Sequence, residues 1–400
     1  MSRPSRRAGL TAANLTVAGY LLAAAVEFLV GLPGPAPTWL VLHLLLLGAA
    51  TNAIVAWSAH FATTLLQQPP LPAAPVAARL ALLNTGIVGV LVGVQRGVTV
   101  LVIASAGLLV AVLLAHLLTL VRAAVAGRNR RFAPTVRFYW AATVAVTAGI
   151  AAGSALAAGP STVDWWWRLY LVHVHLNLLG WVTLTVLGTL YTLWPTALRT
   201  RIVAGTEATA RRSLIVTSAG LALAAAALLA GSRPVAAAGL VVYLAGVIDF
   251  LVPFVRTGLQ RAPHSPATWL LGASTVWCSA AVVADVVAVV RPGSLQAVAG
   301  RVADVVPWFV AGFVVQVLLG ALSYLIPVVL GGPPAAGKRT TAALGIAAVP
   351  RVVVLNVAVV LIACADRPLV RVGWTLVAAS VIGFVALAGY AAVRNRSSCT

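Results

Sequence analysis

Apolar residues occupy most of the chain in twelve long runs, which short polar or basic segments separate. A run of about 20 apolar residues is long enough to cross a bilayer as a helix. No connecting segment is long enough to form a separate soluble domain, so the pattern predicts an all-α polytopic membrane protein with a single membrane domain. The predicted spans are 11–32, 38–61, 77–95, 97–121, 136–159, 168–194, 213–231, 235–255, 268–290, 303–330, 341–364 and 370–392.

Composition agrees with this class and changes how the net charge is interpreted. Of the 400 residues, 61% are hydrophobic and 8% are charged, whereas soluble domains carry about 25% charged residues. The formal net charge is +20, but the basic residues lie in short loops between apolar runs. Such residues keep loops in the cytoplasm, so the predicted partner is the lipid bilayer and not a nucleic acid.

The arginines also predict an orientation. Placing the N-terminus in the cytoplasm puts the arginine-rich segments 122–137, 199–212 and 256–261 on the same side, together with the C-terminus after twelve crossings. The outer loops then keep single arginines such as Arg96 and Arg367. We therefore expect a multi-pass protein of the cell (plasma) membrane with both termini cytoplasmic.

An internal repeat appears when the chain is shifted by 132 residues. The second, sixth and tenth spans then align without a gap: HLLLLGAATNAIVAWSAHFATTLL from His43, HLNLLGWVTLTVLGTLYTLWPTAL from His175 and PWFVAGFVVQVLLGALSYLIPVVL from Pro307. Matched glycines and a matched proline carry more weight than matched leucines. The alignment predicts three pseudo-symmetric four-helix units, roughly 1–130, 131–262 and 263–400.

Three histidines fall inside these spans at matched depth. His43, His173 and His175 lie roughly 8–10 Å below the outer boundary, at 1.5 Å per helical residue. The repeat makes His43 equivalent to His175, so two imidazoles can approach the iron of one haem from opposite faces. His173 and His175 are about 200° apart around the helix, which suits two metal centres. The alternative is hydrogen bonding across a helix interface.

Other ionisable residues are weaker candidates. His60 and His116 lie near the cytoplasmic ends of their spans, where polar groups reach the interface easily. Arg168 lies at the outer boundary, where it could pair with haem propionates. Within or near the spans, carboxylates could carry protons or simply pair with basic residues, and pairing is the favoured reading. These carboxylates are Glu27, Asp249, Asp285 and Asp304.

The run HVHLNLLGW…GTLYTLWP, together with the span count and the repeat, resembles subunit I of the haem–copper oxidases, and its wording is most similar to the C-type branch. It also resembles the membrane part of bacterial copper oxidases and, more distantly, the NnrS haem–copper membrane proteins. The resemblance implies haem b at His43 and His175, with His173 as axial ligand of a second haem. The resemblance also allows copper as a second metal. It allows an electron donor or a copper protein as a partner.

The resemblance has two departures. In the oxidases the H-x-H pair belongs to the tenth span, whereas here it lies in the sixth. The further histidines that copper requires are also missing, because only His60 and His116 remain in spans. The expectation is therefore a haem-binding redox or gas-ligand protein, oxidoreductase-like if it is an enzyme, without the full oxygen-reducing copper site. A membrane transporter or channel, and a cofactor-free accessory subunit, stay open as alternatives.

Overall fold

A computed structural model describes residues 3–31, 37–330 and 334–396, and throughout these ranges the ordered elements are helices without any strand. Eleven helices are long and apolar enough to cross a membrane, and a bent pair makes a twelfth. The all-α polytopic prediction is confirmed. Cys399 and residue 32, where the first predicted span ends, lie outside the described ranges.

The spans are numbered here in chain order, and span 11 is the helix pair bent by 43°. Each of the twelve predicted runs corresponds to one of them. Their bounds are Gly9–Val30, Thr38–Leu65, Ala73–Arg96, Thr99–Val125, Ala133–Ala158, Val163–Leu198, Thr206–Leu229, Arg233–Gln260, Pro266–Val290, Leu295–Leu330, Ala336–Leu344 with Ala348–Cys364, and Arg367–Arg394.

Spans 2, 6 and 10 each contain a π-helical segment, at Leu44–Ala50, Leu176–Leu184 and Val310–Val315. The three segments overlap when the chain is shifted by 132 residues. The same spans are the most buried of the eleven straight spans, at 61, 83 and 67% of their most apolar window, against 28–44% for the other eight. A shared backbone irregularity at one repeat position supports the sequence alignment.

Glycines in these spans pack against the preceding helix in a repeated way. A β-carbon on Gly180 would lie 2.5 Å from Cβ of Ala145, and one on Gly312 would lie 2.8 Å from the ring of Trp277. Ala145 and Trp277 are themselves 132 residues apart. Gly188 against Phe138 and Gly320 against Leu270 form a second such pair of contacts. The division into three four-helix units nevertheless stays a prediction.

By contact density the chain forms two compact units that follow a different division. The first comprises Met1–Ala53, Ala262–Cys278 and Pro307–Thr400. Within it span 1 packs against span 12, where the rings of Phe28 and Trp374 lie 6.1 Å apart. Span 1 also packs against the first π segment, where the ring of Tyr20 covers Gly48.

The second compact unit comprises Ile54–Arg261 and Ser279–Val306. Spans 7 and 8 approach most closely at glycines, because a β-carbon on Gly239 would lie 2.5 Å from the backbone nitrogen of Ala224. Small residues allow such close backbone contact between membrane helices. Large apolar side chains on the outside of this unit, such as Val100 and Leu259, are mostly exposed, as expected for surfaces that face lipid.

Candidate histidine site

His175 ends the α-helical part of span 6, directly before the π segment. Its Nδ1 lies 2.6 Å from the carbonyl oxygen of Leu171, and its Nε2 lies 3.1 Å from Oδ2 of Asp285 in span 9. The histidine is 1% exposed and the aspartate 6%. A carbonyl oxygen only accepts hydrogen bonds, so Nδ1 carries a proton and the second contact joins Nε2 to the carboxyl group.

His43 has the same local geometry at the equivalent repeat position. It directly precedes the π segment of span 2, and its Nδ1 lies 2.8 Å from the carbonyl oxygen of Trp39, four residues earlier. The imidazole stacks on the Trp39 ring, with the ring centres 3.9 Å apart. Since the carbonyl is an acceptor, the Nδ1 of His43 is also protonated, and in the neutral ring Nε2 carries the lone pair.

His173 faces a different helix from His175. Its Nδ1 lies 2.9 Å from the carbonyl oxygen of Gly149 in span 5, and its ring lies 2.7 Å from the place where a β-carbon of Gly153 would be. Asn177 donates a hydrogen bond to the backbone carbonyl of His173 at 2.7 Å. The two histidines of the H-x-H motif therefore serve opposite sides of span 6, as helix geometry predicts.

The pairing of His43 with His175 across one iron stays a prediction, since the two residues belong to different compact units. What the geometry supplies is an anchored ring at each position. Histidines that ligate metals almost always donate their other ring N–H to a carbonyl, a carboxylate or water. His43 and His175 place Nδ1 at hydrogen-bonding distance from a carbonyl oxygen, and this fits ligation through Nε2. The Nδ1 of His173 lies near both the Gly149 carbonyl oxygen and, at 3.3 Å, the amide nitrogen of Asn177.

The carboxyl group of Asp285 complicates the fit at His175, because it contacts the atom that would bind iron. Haem at this position requires Asp285 to give up that contact. Asp285 and His175 are 110 residues apart in the chain, and sequence reasoning treated them separately. The one available signal was that the orientation predicted from the arginines puts both near the outer ends of their spans.

His116, in span 4, is fully buried in the second compact unit. Its Nε2 lies 3.0 Å from the hydroxyl of Ser58, and its Nδ1 lies 3.4 Å from the guanidinium of Arg79. The guanidinium can only donate, so the ring is neutral with its proton on Nε2. Both ring nitrogens already have protein partners. His60 packs edge-on against Trp57, with ring centres 5.4 Å apart.

Arg168 pairs with a neighbour on its own helix. Its guanidinium lies 2.6 Å from the carboxylate of Asp164, one turn earlier, and donates to the carbonyl oxygen of Leu229 at 3.0 Å. Its Nε is buried and has no hydrogen-bond partner in the described part of the chain. The D-x-x-x-R spacing in the sequence could have indicated this ion pair. The role of Arg168 in binding haem propionates stays a prediction.

The intramembrane carboxylates differ in their pairing. Asp249 forms an ion pair with Arg212, with a distance of 2.9 Å between Nε of the arginine and Oδ2 of the aspartate. This agrees with the prediction that carboxylates within the spans pair with basic residues. Glu27 in span 1 is 3% exposed, and neither of its carboxyl oxygens has a hydrogen-bond partner among the residues that the structure describes. Acid–base pairing therefore accounts for Asp249 and not for Glu27.

Among the described residues no group of three or more histidine, cysteine, aspartate or glutamate side chains is arranged to hold a metal ion. A haem held by two histidines needs only one on each face, so it does not require a cluster of three or more metal-binding side chains. The sequence matches no protein-family model, and it matches no curated protein. The assignment of a function therefore rests on the geometry of the histidines.

Proposed function

We propose that this membrane protein binds haem b through His43, His173 and His175, and that it acts as a redox or gas-ligand protein of the plasma membrane with both termini in the cytoplasm. The observation that carries the proposal is the matched anchoring of His43 and His175. In both, Nδ1 lies within 2.8 Å of the carbonyl oxygen four residues earlier, which assigns the proton to Nδ1 and makes Nε2 the ligand atom.

Each of the three histidines would have a defined role in haem binding. His43 and His175 would hold one iron, and His173 would hold a second on the opposite side of span 6. The haem itself would supply a one-electron redox centre or a site for a diatomic gas. The protein supplies ring orientation, through the three carbonyl contacts, and exclusion of water, since span 6 is the most buried of the straight spans.

One spectrum tests the proposal. We expect the protein purified in detergent to show haem b bands in a reduced-minus-oxidised absorption spectrum. His43→Ala and His175→Ala should each abolish the low-spin signal of the shared haem, and His173→Ala should remove only the second haem. His264→Ala, in an exposed loop, is the matched control and should leave the spectrum unchanged. A colourless wild-type protein, or a low-spin signal that survives in both His43 and His175 variants, would refute the proposal.

A second function is favoured by one observation, the buried contact between His175 and Asp285. Paired ionisable residues inside a membrane often belong to proton pathways in pumps and transporters. Proton-linked transport predicts electrical currents when a pH jump is applied to protein reconstituted in vesicles, and loss of those currents in Asp285→Asn. Haem binding predicts instead that Asp285→Asn keeps its haem spectrum, because the carboxyl group is not a ligand.

A further inference from the structure

A second candidate site lies at the arginine-rich end of the second compact unit, far along span 6 from its histidines. It is a cavity of about 210 Å³ between the start of span 5, the end of span 6 and the start of span 7. The segment from Ile202 to Gly205 forms one wall. Drug-sized ligands occupy pockets of about 300–1,000 Å³, so this cavity suits a smaller group.

The charged residues that line the cavity leave it positive. Arg131 makes no ion pair with any carboxylate in the described part of the chain, and its guanidinium lies 5.9 Å from the centre of the Phe132 ring. Glu207 is the one carboxylate in the lining, and Arg211 neutralises it at 2.6 Å. The guanidinium of Arg131 is thus the uncompensated charge of the cavity.

Two further groups in the lining are polar donors. Span 7 begins at Thr206 with Gly205 as its N-cap, and no side chain caps this end of the helix. The N–H of Thr206 already donates to the carbonyl oxygen of Val203, so the N–H groups that follow it in the first turn are the ones that favour an anion. The buried side chain of Tyr191 also lines the cavity, close to Ser213, and within the described ranges its hydroxyl oxygen has no partner at hydrogen-bonding distance. The nearby Ser213 hydroxyl donates instead to the carbonyl oxygen of Gly246.

We propose that this cavity binds a phosphate group, held by the guanidinium of Arg131, the N-terminus of span 7 and the Tyr191 hydroxyl. Phosphate suits the donors because arginine binds it with paired, charge-assisted hydrogen bonds. The source is either the headgroup of an anionic phospholipid in the adjacent leaflet or a small soluble phosphate compound. This proposal is independent of haem binding.

Binding is measured on the full-length protein in detergent. The lipid arm adds phosphatidylglycerol, with phosphatidylcholine as the uncharged reference, and follows bound lipid by native mass spectrometry. The soluble arm adds inorganic phosphate and glycerol 3-phosphate and follows the melting temperature. A preference for phosphatidylglycerol identifies a lipid headgroup, whereas stabilisation by the soluble phosphates alone identifies a soluble ligand.

Arg131→Gln should weaken the binding by about tenfold or more, as expected for loss of a charge-assisted hydrogen bond. Tyr191→Phe, which keeps the ring, should weaken it less. Arg128→Gln is the matched control, because Arg128 lies three residues away and does not line the cavity. It should cost at most about fivefold, the general effect of one arginine near an anionic surface.

Equal losses in Arg131→Gln and Arg128→Gln would overturn the proposal, because they would show general surface attraction without a site. Absence of binding in both arms for the wild type would overturn it as well. Melting temperatures without ligand establish that each variant is folded, and Arg131 is exposed, so its replacement leaves the core intact.

Discussion

Replacing Asp285 by alanine removes the carboxyl partner of His175 and tests whether this contact stabilises the fold. The two side chains are buried, and Nε2 lies 3.1 Å from Oδ2. Removing one partner of a buried hydrogen bond costs about 1–3 kcal/mol, because the other group is left unsatisfied. We expect a loss in this range for Asp285→Ala. Asp285→Asn keeps the shape and a polar group, so its loss should stay below about 1 kcal/mol.

A double-mutant cycle isolates the contact from the other effects of each substitution. Hydrogen bonds between membrane helices average about 0.6 kcal/mol in such cycles and reach about 1.7 kcal/mol. Haem ligation by His175 would break the contact, so the cycle is measured on protein without haem. Full burial places this pair near the upper end, and we expect a coupling energy of about 1–1.7 kcal/mol between His175→Ala and Asp285→Ala. The assay is reversible unfolding in mixed micelles with increasing dodecyl sulfate, followed by circular dichroism.

Asp304→Ala serves as the control, because Asp304 is exposed in span 10 and forms none of the ion pairs found in the described part of the chain. Its effect should stay within about 0.5 kcal/mol. A coupling energy near zero in the cycle, with ordinary losses for both single variants, would show that His175 and Asp285 do not interact in the folded protein.

Three further predictions concern packing and hydrogen bonds. Gly239→Ala should destabilise the protein by about 1–3 kcal/mol, because its new methyl group would meet the backbone of the adjacent span. Gly107→Ala, with open space around it, should be neutral or stabilising. Melting temperatures of the two variants test this difference. His116→Ala should lower the free energy of unfolding by about 1.5–3 kcal/mol, because it removes the acceptor that faces the charged Arg79. It should leave the haem spectrum unchanged, and a loss of haem bands would contradict a purely structural role. Thr183→Val should cost about 1 kcal/mol in the same unfolding assay, because the buried hydroxyl donates to a carbonyl five residues earlier at 2.8 Å, and an unchanged stability would show that this bond contributes nothing.

The sequence was sufficient for the membrane fold, and it also singled out three histidines whose role as ligands stays a prediction. Runs of apolar residues identified all twelve spans because the length of a membrane helix is set by the bilayer. His43, His173 and His175 stood out because ionisable residues are costly in that environment. Helix geometry alone separated His173 from His175, and the structure confirms that they face different helices.

Contacts between distant segments were beyond sequence reasoning. The pairing of Asp285 with His175 depends on which spans are neighbours, and apolar periodicity carries no such information. The burial of His116 has the same cause: the positions of Ser58 and Arg79 on other helices decide it. The ion pair of Arg168 with Asp164 is different, because it lies within one helix turn and the spacing alone could have revealed it.

The π segments occur in all three repeated spans, whereas the candidate ligand histidine occurs in only two of them. A π segment leaves carbonyl groups without their usual partners, and in spans 2 and 6 a threonine hydroxyl bonds the carbonyl five residues earlier, at Thr51 and Thr183. Span 10 keeps the π segment, although Val315 replaces the threonine and Pro307 the histidine. Close packing of a glycine on a neighbouring helix is common to all three spans, including span 10, which has no histidine at this position. The π geometry is therefore no evidence for haem, and the proposal depends on the imidazoles that only two of the three spans carry.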